Sequence, residues 1–112
     1  MENYKTGFYT YIIRCADNSL YTGYTTDIKR RIKEHKKGIN CKYTKSRKYK
    51  SLEALFLSES KSNAMKLEAF IKQMSRNKKL LIIENPELLV KDFMNKKNIE
   101  IVYIDKNNIL TG

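Results

Sequence analysis

Two short runs rich in aromatic and β-branched residues, Phe8-Tyr9-Thr10-Tyr11-Ile12-Ile13-Arg14-Cys15 and Leu20-Tyr21-Thr22-Gly23-Tyr24-Thr25, flank Ala16-Asp17-Asn18-Ser19. This pattern reads as a β-hairpin, and its loop length decides which face each side chain takes. A two-residue Asp17-Asn18 turn pairs Cys15 with Leu20 and Tyr11 with Tyr24, which sends Tyr21 to the opposite face. A three-residue loop, Ala16 to Asn18 with Asn18 in the left-handed region, pairs Ile13 with Tyr21 and brings Tyr11 and Tyr21 to one side. Asparagine tolerates that conformation, so the second register is accessible.

Beyond the hairpin, Thr25 or Thr26 can cap a helix that starts at Asp27 and runs to about Lys37, where Gly38 ends it. Residues 39–50 have no clear period and read as a loop with one helical turn. Ser51 to Leu57 reads as a third strand. Ser60 or Ser62 opens a helix through Met74 with Leu67, Phe70, Ile71 and Met74 on one apolar stripe, and Ser75 caps another stretch through Ile82. Pro86 marks a further helix carrying Leu88, Leu89, Phe93 and Met94, and Ile99 to Ile104 alternates like a strand. The order predicts an α+β domain, a small and largely antiparallel three-stranded sheet flanked by helices, over residues 1–83, with a helix-strand extension over 84–112.

At 112 residues the chain has room for one core and one site. No apolar run approaches the ~20 residues of a membrane span, and Met1 to Thr6 shows no signal-peptide core, so a cytoplasmic location is expected. Cys15 and Cys41 are too few for a disulfide framework or, with His35 alone, for a zinc site. Cys15 reads as buried packing; Cys41 receives no role. The formal charge of +11 is concentrated: residues 29–50 carry eleven cations against Glu34 alone. Such an excess repels itself unless a polyanion sits against it, and its few apolar residues form no broad stripe for a membrane. Nucleic acid is the expected partner.

Four features can carry chemistry. Tyr11 and Tyr21 present two phenols if the hairpin takes the second register, and Gly23 leaves room on that face for a phosphate. Arg31 and His35, four apart, share one helix face, where an arginine can brace a phosphate. Lys42, Tyr43, Thr44 and Arg47 interleave an aromatic ring with cations and a hydroxyl, a combination suited to base stacking and phosphate contact. Glu68 lies at the rim of an apolar stripe with Lys72 one turn on; it reads either as a surface ion pair or as the single carboxylate of a Mg²⁺ site.

Taken in order, Thr10-Tyr11-Ile12, Tyr21-Thr22-Gly23, Asp27 to His35, Lys42-Tyr43-Thr44 and Leu67 to Lys72 resemble the motifs of the GIY-YIG nuclease superfamily, over roughly residues 7 to 82. Within it the chain looks most like small stand-alone bacterial proteins of the Holliday-junction-processing (Slx-like) type. Thr10 and Thr22 replace the glycine and isoleucine of the family name, and neither position supplies a group the chemistry needs. The resemblance implies a GIY-YIG fold and a metal-dependent DNA endonuclease acting on structured or damaged DNA in repair or recombination, with one Mg²⁺ or Mn²⁺ ion. It implies that Tyr11 activates water, Tyr21 binds the scissile phosphate or orients the water, Arg31 stabilises the transition-state charge and Glu68 holds the metal. His35 and Tyr43 then position substrate or assist proton transfer. The alternatives are a nucleic-acid-binding module that does not cut, a partner-dependent nuclease subunit, and a scaffold that recruits a protein through residues 84–112.

Overall fold

The computed structural model describes residues 7–110; the reading of Met1 to Thr6 lies outside them. Strands β1 (Phe8–Cys15) and β2 (Leu20–Thr25) form the expected hairpin, followed by α1 (Ile28–Lys37), α2 (Lys42–Arg47) and β3 (Tyr49–Ser58). Then come α3 (Lys61–Lys72), α4 (Arg76–Glu84), α5 (Glu87–Lys97), β4 (Val102–Tyr103) and α6 (Asn107–Leu110). The sheet is antiparallel with four strands in the order β2-β1-β3-β4. The α+β class holds, but three strands become four because the tail returns to the sheet: Phe56 pairs with Tyr103 and Leu57 with Val102. Only two of the six residues from Ile99 to Ile104 form strand, because alternation marks a half-buried segment without saying how far a neighbour's edge is free to pair.

The hairpin takes the three-residue loop. Asn18 sits at φ 68° and Ile13 pairs with Tyr21, so Tyr11 faces Gly23 across the strands. Asp17 accepts hydrogen bonds from the amide and hydroxyl of Ser19, which fixes the turn. One correction falls at α1: its cap is Asp27, whose carboxylate accepts from the Arg30 amide, whereas Thr25 accepts from the Asp27 amide one step earlier. Gly38 at φ 70° ends the helix as expected. Ser60 and Ser75 cap α3 and α4.

Strand alternation splits the core in two. Tyr9, Tyr11, Ile13, Leu52 and Leu55 pack with Ile28 and Ile32 of α1 and Ile109 of α6. On the other face Ile12, Ala54 and Phe56 pack with Leu67 and Ile71 of α3, Ile82 of α4 and Leu89 and Phe93 of α5. Cys15 is buried in this framework. The segment 84–112 therefore contributes Leu89, Phe93 and Ile101 to the same core as α3. Among the described residues no helix is long and apolar enough to cross a membrane.

Candidate active site

Tyr11 and Tyr21 share the face that α1 covers, with ring centroids 6.4 Å apart. His35, at the last turn of α1, fills the angle between them, its ring 5.5 Å from Tyr11 and 5.7 Å from Tyr21. Tyr43 of α2 extends the row, 5.1 Å from Tyr21, and the Arg47 guanidinium lies 4.7 Å from the Tyr43 ring centre. Arg47 is also paired with Asp17 at 2.8 Å, so the hairpin loop holds the end of α2. Side chains from residues 11 to 47 thus line up beside the edge strand β2.

The hydrogen bonds at the bottom of this row allow one proton assignment. Tyr11 Oη lies 2.7 Å from His35 Nε2 and 3.3 Å from Arg31 Nε, and His35 Nδ1 lies 3.1 Å from Thr44 Oγ1. Arginine only donates, so among the described residues the sole acceptor for the Tyr11 proton is Nε2. That places the imidazole proton on Nδ1, where it donates to Thr44; the Thr44 hydroxyl in turn donates to the Cys41 carbonyl at 3.5 Å. Every donor in this Tyr11-His35-Thr44 relay then has an acceptor, as buried groups require. Tyr11, His35 and Thr44 are all buried.

Burial sets the charges. It raises the Tyr11 phenol above its ordinary value, outweighing the Arg31 hydrogen bond and charge that pull it down. Burial and the Arg31 charge push His35 down to about 4, so the imidazole is neutral at physiological pH. Burial opposes the Arg31 charge too, but hydrogen bonds to Glu34 (2.8 Å) and Tyr11 prevail and its pKa is raised. Tyr21 is raised by burial and by the neighbouring Cys41 thiol. Cys41 itself is disfavoured as thiolate by burial, yet hydrogen bonds from Thr44, Tyr43 and Tyr21 bring it below the usual range.

Glu68 approaches from the other side. It sits on α3, across the sheet from α1, and its charge still acts on Tyr21. Its side chain is 15% exposed and paired with Lys72 at 3.3 Å, a contact made by one carboxylate oxygen. No group of three or more acids, cysteines or histidines that could hold a metal is found among the described residues. The donor set fits a hard divalent cation that keeps most of its waters and borrows oxygens from a phosphate, since such an ion accepts a single carboxylate.

The structure therefore brings together Tyr11, Tyr21, Arg31, His35 and Tyr43, while Glu68 stands on α3, on the other face of the sheet. Two expected substrate positions look different in three dimensions. Thr44 is buried beneath His35, and Gly23 leaves space that the Tyr11 phenol already fills: a Cβ there would stand 2.5 Å from Tyr11 Oη. Lys42 lines an open cleft of about 580 Å³ with Gly38, Ile39, Asn40, Cys41 and Lys45. Sequence reasoning missed Glu34 and Asn40, which hold Arg31 through its guanidinium, and Cys41, which touches Tyr21. Glu34, three residues after Arg31 on one helix, was a readable signal; the other two depend on the path of the loop.

Residues 7–80 match the GIY-YIG catalytic domain, and the chain belongs to that family. More narrowly, its relatives include UPF0213 proteins: it is 42% identical to a UPF0213 protein of Fusobacterium nucleatum over 94 residues, covering 84% of this chain and 94% of the relative. It is 50% identical to one from Staphylococcus haemolyticus over 76 residues, 68% of this chain and 93% of that one. A solution structure of a UPF0213 protein from Bacillus halodurans is 45% identical, with a TM-score of 0.46 over 69% of this chain and 82% of that one.

Proposed function

We propose that this chain is a metal-dependent DNA endonuclease that hydrolyses one phosphodiester bond at the β2 edge, using one Mg²⁺ or Mn²⁺ ion held by Glu68. The observation that carries the reading is the cluster of Arg31 and Tyr21 around the buried Tyr11-His35 pair, inside a GIY-YIG catalytic domain. Hydrolysis forms a bond from water oxygen to phosphorus, breaks a P–O bond and requires the water's proton to leave. An unperturbed phenol is a poor base at neutral pH, and burial makes Tyr11 a poorer one. His35 Nε2 supplies the missing acceptor: as Tyr11 Oη takes the water's proton, its own passes to Nε2. The arriving phosphate charge favours the imidazolium that results. Arg31, fixed by Glu34 and the Asn40 carbonyl, faces the charge that builds up on phosphorus. Tyr21 contacts the phosphate or orients the water, and Tyr43 with Lys42 and Arg47 holds the flanking nucleotides. A divalent ion held by Glu68 would supply Lewis-acid stabilisation of the charge that develops as the phosphodiester bond breaks.

Structured or damaged DNA, in the manner of the Holliday-junction-processing type, is the substrate class this reading favours. The test is incubation with labelled linear, flapped and four-way-junction DNA in Mg²⁺ or Mn²⁺, beside Arg31→Ala and Glu68→Ala. Cleavage abolished by both variants and by chelator supports the proposal. Binding without cleavage on every substrate replaces it with a non-catalytic module or a nuclease subunit awaiting a protein partner.

A further inference from the structure

Outside residues 29–50 the net charge is only +1, and this near-neutral sum hides a second basic surface. Residues 61–79 carry Lys61, Lys66, Lys72, Arg76, Lys78 and Lys79 against Glu68 alone, a net of +5, while residues 80–112 are slightly acidic. Lys72 is occupied by Glu68. Among the described residues Lys61, Lys66, Arg76, Lys78 and Lys79 have no carboxylate partner, and Lys61, Lys66, Arg76 and Lys78 are exposed. Uncompensated cations crowded on two short helices repel one another, a cost that an anionic partner relieves.

Position gives the charge a meaning. Lys61, Met65, Glu68 and Lys72 follow three- and four-residue spacing, so one stripe of α3 holds the carboxylate whose charge acts on Tyr21 between two lysines. Arg76 and Lys78 follow on the first turn of α4, which begins four residues after α3 ends. This surface lies across the sheet from the basic α1–α2 surface, and β2, the edge strand, runs between them. The two surfaces stand apart by the sheet and its two helical layers, on the order of 20 Å, or roughly six base pairs of duplex.

We propose that the α3–α4 corner is a second DNA-backbone arm, gripping the substrate on the far side of the cut from the α1–α2 arm. It rests on the nuclease reading for its partner and adds the claim that the bound DNA continues past the edge in both directions, along one duplex or into a second branch.

The test is the salt dependence of binding to a 20-base-pair duplex and a four-way junction, in Ca²⁺ without turnover. It compares the wild type with Lys61→Ala/Arg76→Ala/Lys78→Ala and with Lys42→Ala/Lys45→Ala, each checked for folding by circular dichroism. Each lost phosphate contact lowers the slope of log K against log salt by about 0.9. The expected result is a loss of roughly two to three in slope for the α3–α4 variant and a separate loss for the α2 variant. A slope unchanged in the first and reduced in the second overturns the second arm while leaving the nuclease reading intact. A slope unchanged in both overturns the nucleic-acid reading as well.

Discussion

Replacing Thr44 by valine keeps the shape of a buried side chain and removes the only acceptor for His35 Nδ1–H among the described residues, 3.1 Å away. Two outcomes are open to the ring. It can leave Nδ1–H unsatisfied, or move its proton to Nε2 and orphan the Tyr11 hydroxyl, which has no other acceptor among the described residues. Either leaves one buried donor unpaired, at a cost of about 1–3 kcal/mol. In a domain of this size that is a drop of roughly 5–15 °C in Tm. Thr44→Ser, which keeps the hydroxyl, should lose much less. The assay is thermal unfolding together with ¹⁵N NMR of the imidazole, which reports the tautomer directly. Wild type and Thr44→Ser should show the proton on Nδ1, and Thr44→Val should lose stability whether or not its population shifts toward Nε2. A wild-type proton on Nε2, or a valine variant as stable as the wild type, would refute the assignment and with it the direction of proton transfer from Tyr11.

His35 also makes stability pH-dependent. Its folded pKa, about 4, lies below the ordinary 6.5, so the unfolded chain binds the extra proton between these values. Stability should be full above pH 6.5 and fall by up to about 3 kcal/mol as the pH drops toward 4, read from urea midpoints; a contribution that vanishes in His35→Gln identifies the source. Gly23→Ala drives a methyl to 2.5 Å from Tyr11 Oη, and should cost about 1–3 kcal/mol by overpacking while disturbing the Tyr11-His35 bond. Phe93→Ala, removing a buried ring that packs at a tilt against Phe70 with centroids 5.1 Å apart, should cost about 3–5 kcal/mol in chemical denaturation, and an effect near zero would show the tail to be dispensable. Arg31→Ala should slow cleavage by about 10²–10³-fold under single-turnover conditions.

What the sequence disclosed follows the range of the interactions involved. Strand β1, helix α1 and its glycine stop are local, written in periodicity and a single φ-permissive residue, and they were readable. The hairpin register was narrowed to two choices, and Asn18 at φ 68° settles it. Thr44 was not readable in the same way. It stands beside Tyr43 in a basic polar stretch, and nothing in residues 39–50 says that one turn of α2 tucks a hydroxyl under His35 while leaving its neighbour on Tyr21. The edge pairing of Val102 and Tyr103 is likewise a long-range fact, since it depends on how far β3 leaves its outer side open. Glu68 was legible as an acid at an apolar rim, but its place on the far face of the sheet from Tyr21 depends on how α3 packs on Ile12 and Phe56.

The most direct measurement is single-turnover cleavage of labelled junction DNA as a function of Mg²⁺ concentration, for the wild type and Glu68→Gln, with binding measured separately in Ca²⁺. The account predicts cleavage that saturates with metal in the wild type and falls by at least about 10²-fold in the variant while affinity changes little. Cleavage by Glu68→Gln at the wild-type rate, or cleavage that persists in chelator, would contradict a metal-dependent nuclease centred on this site.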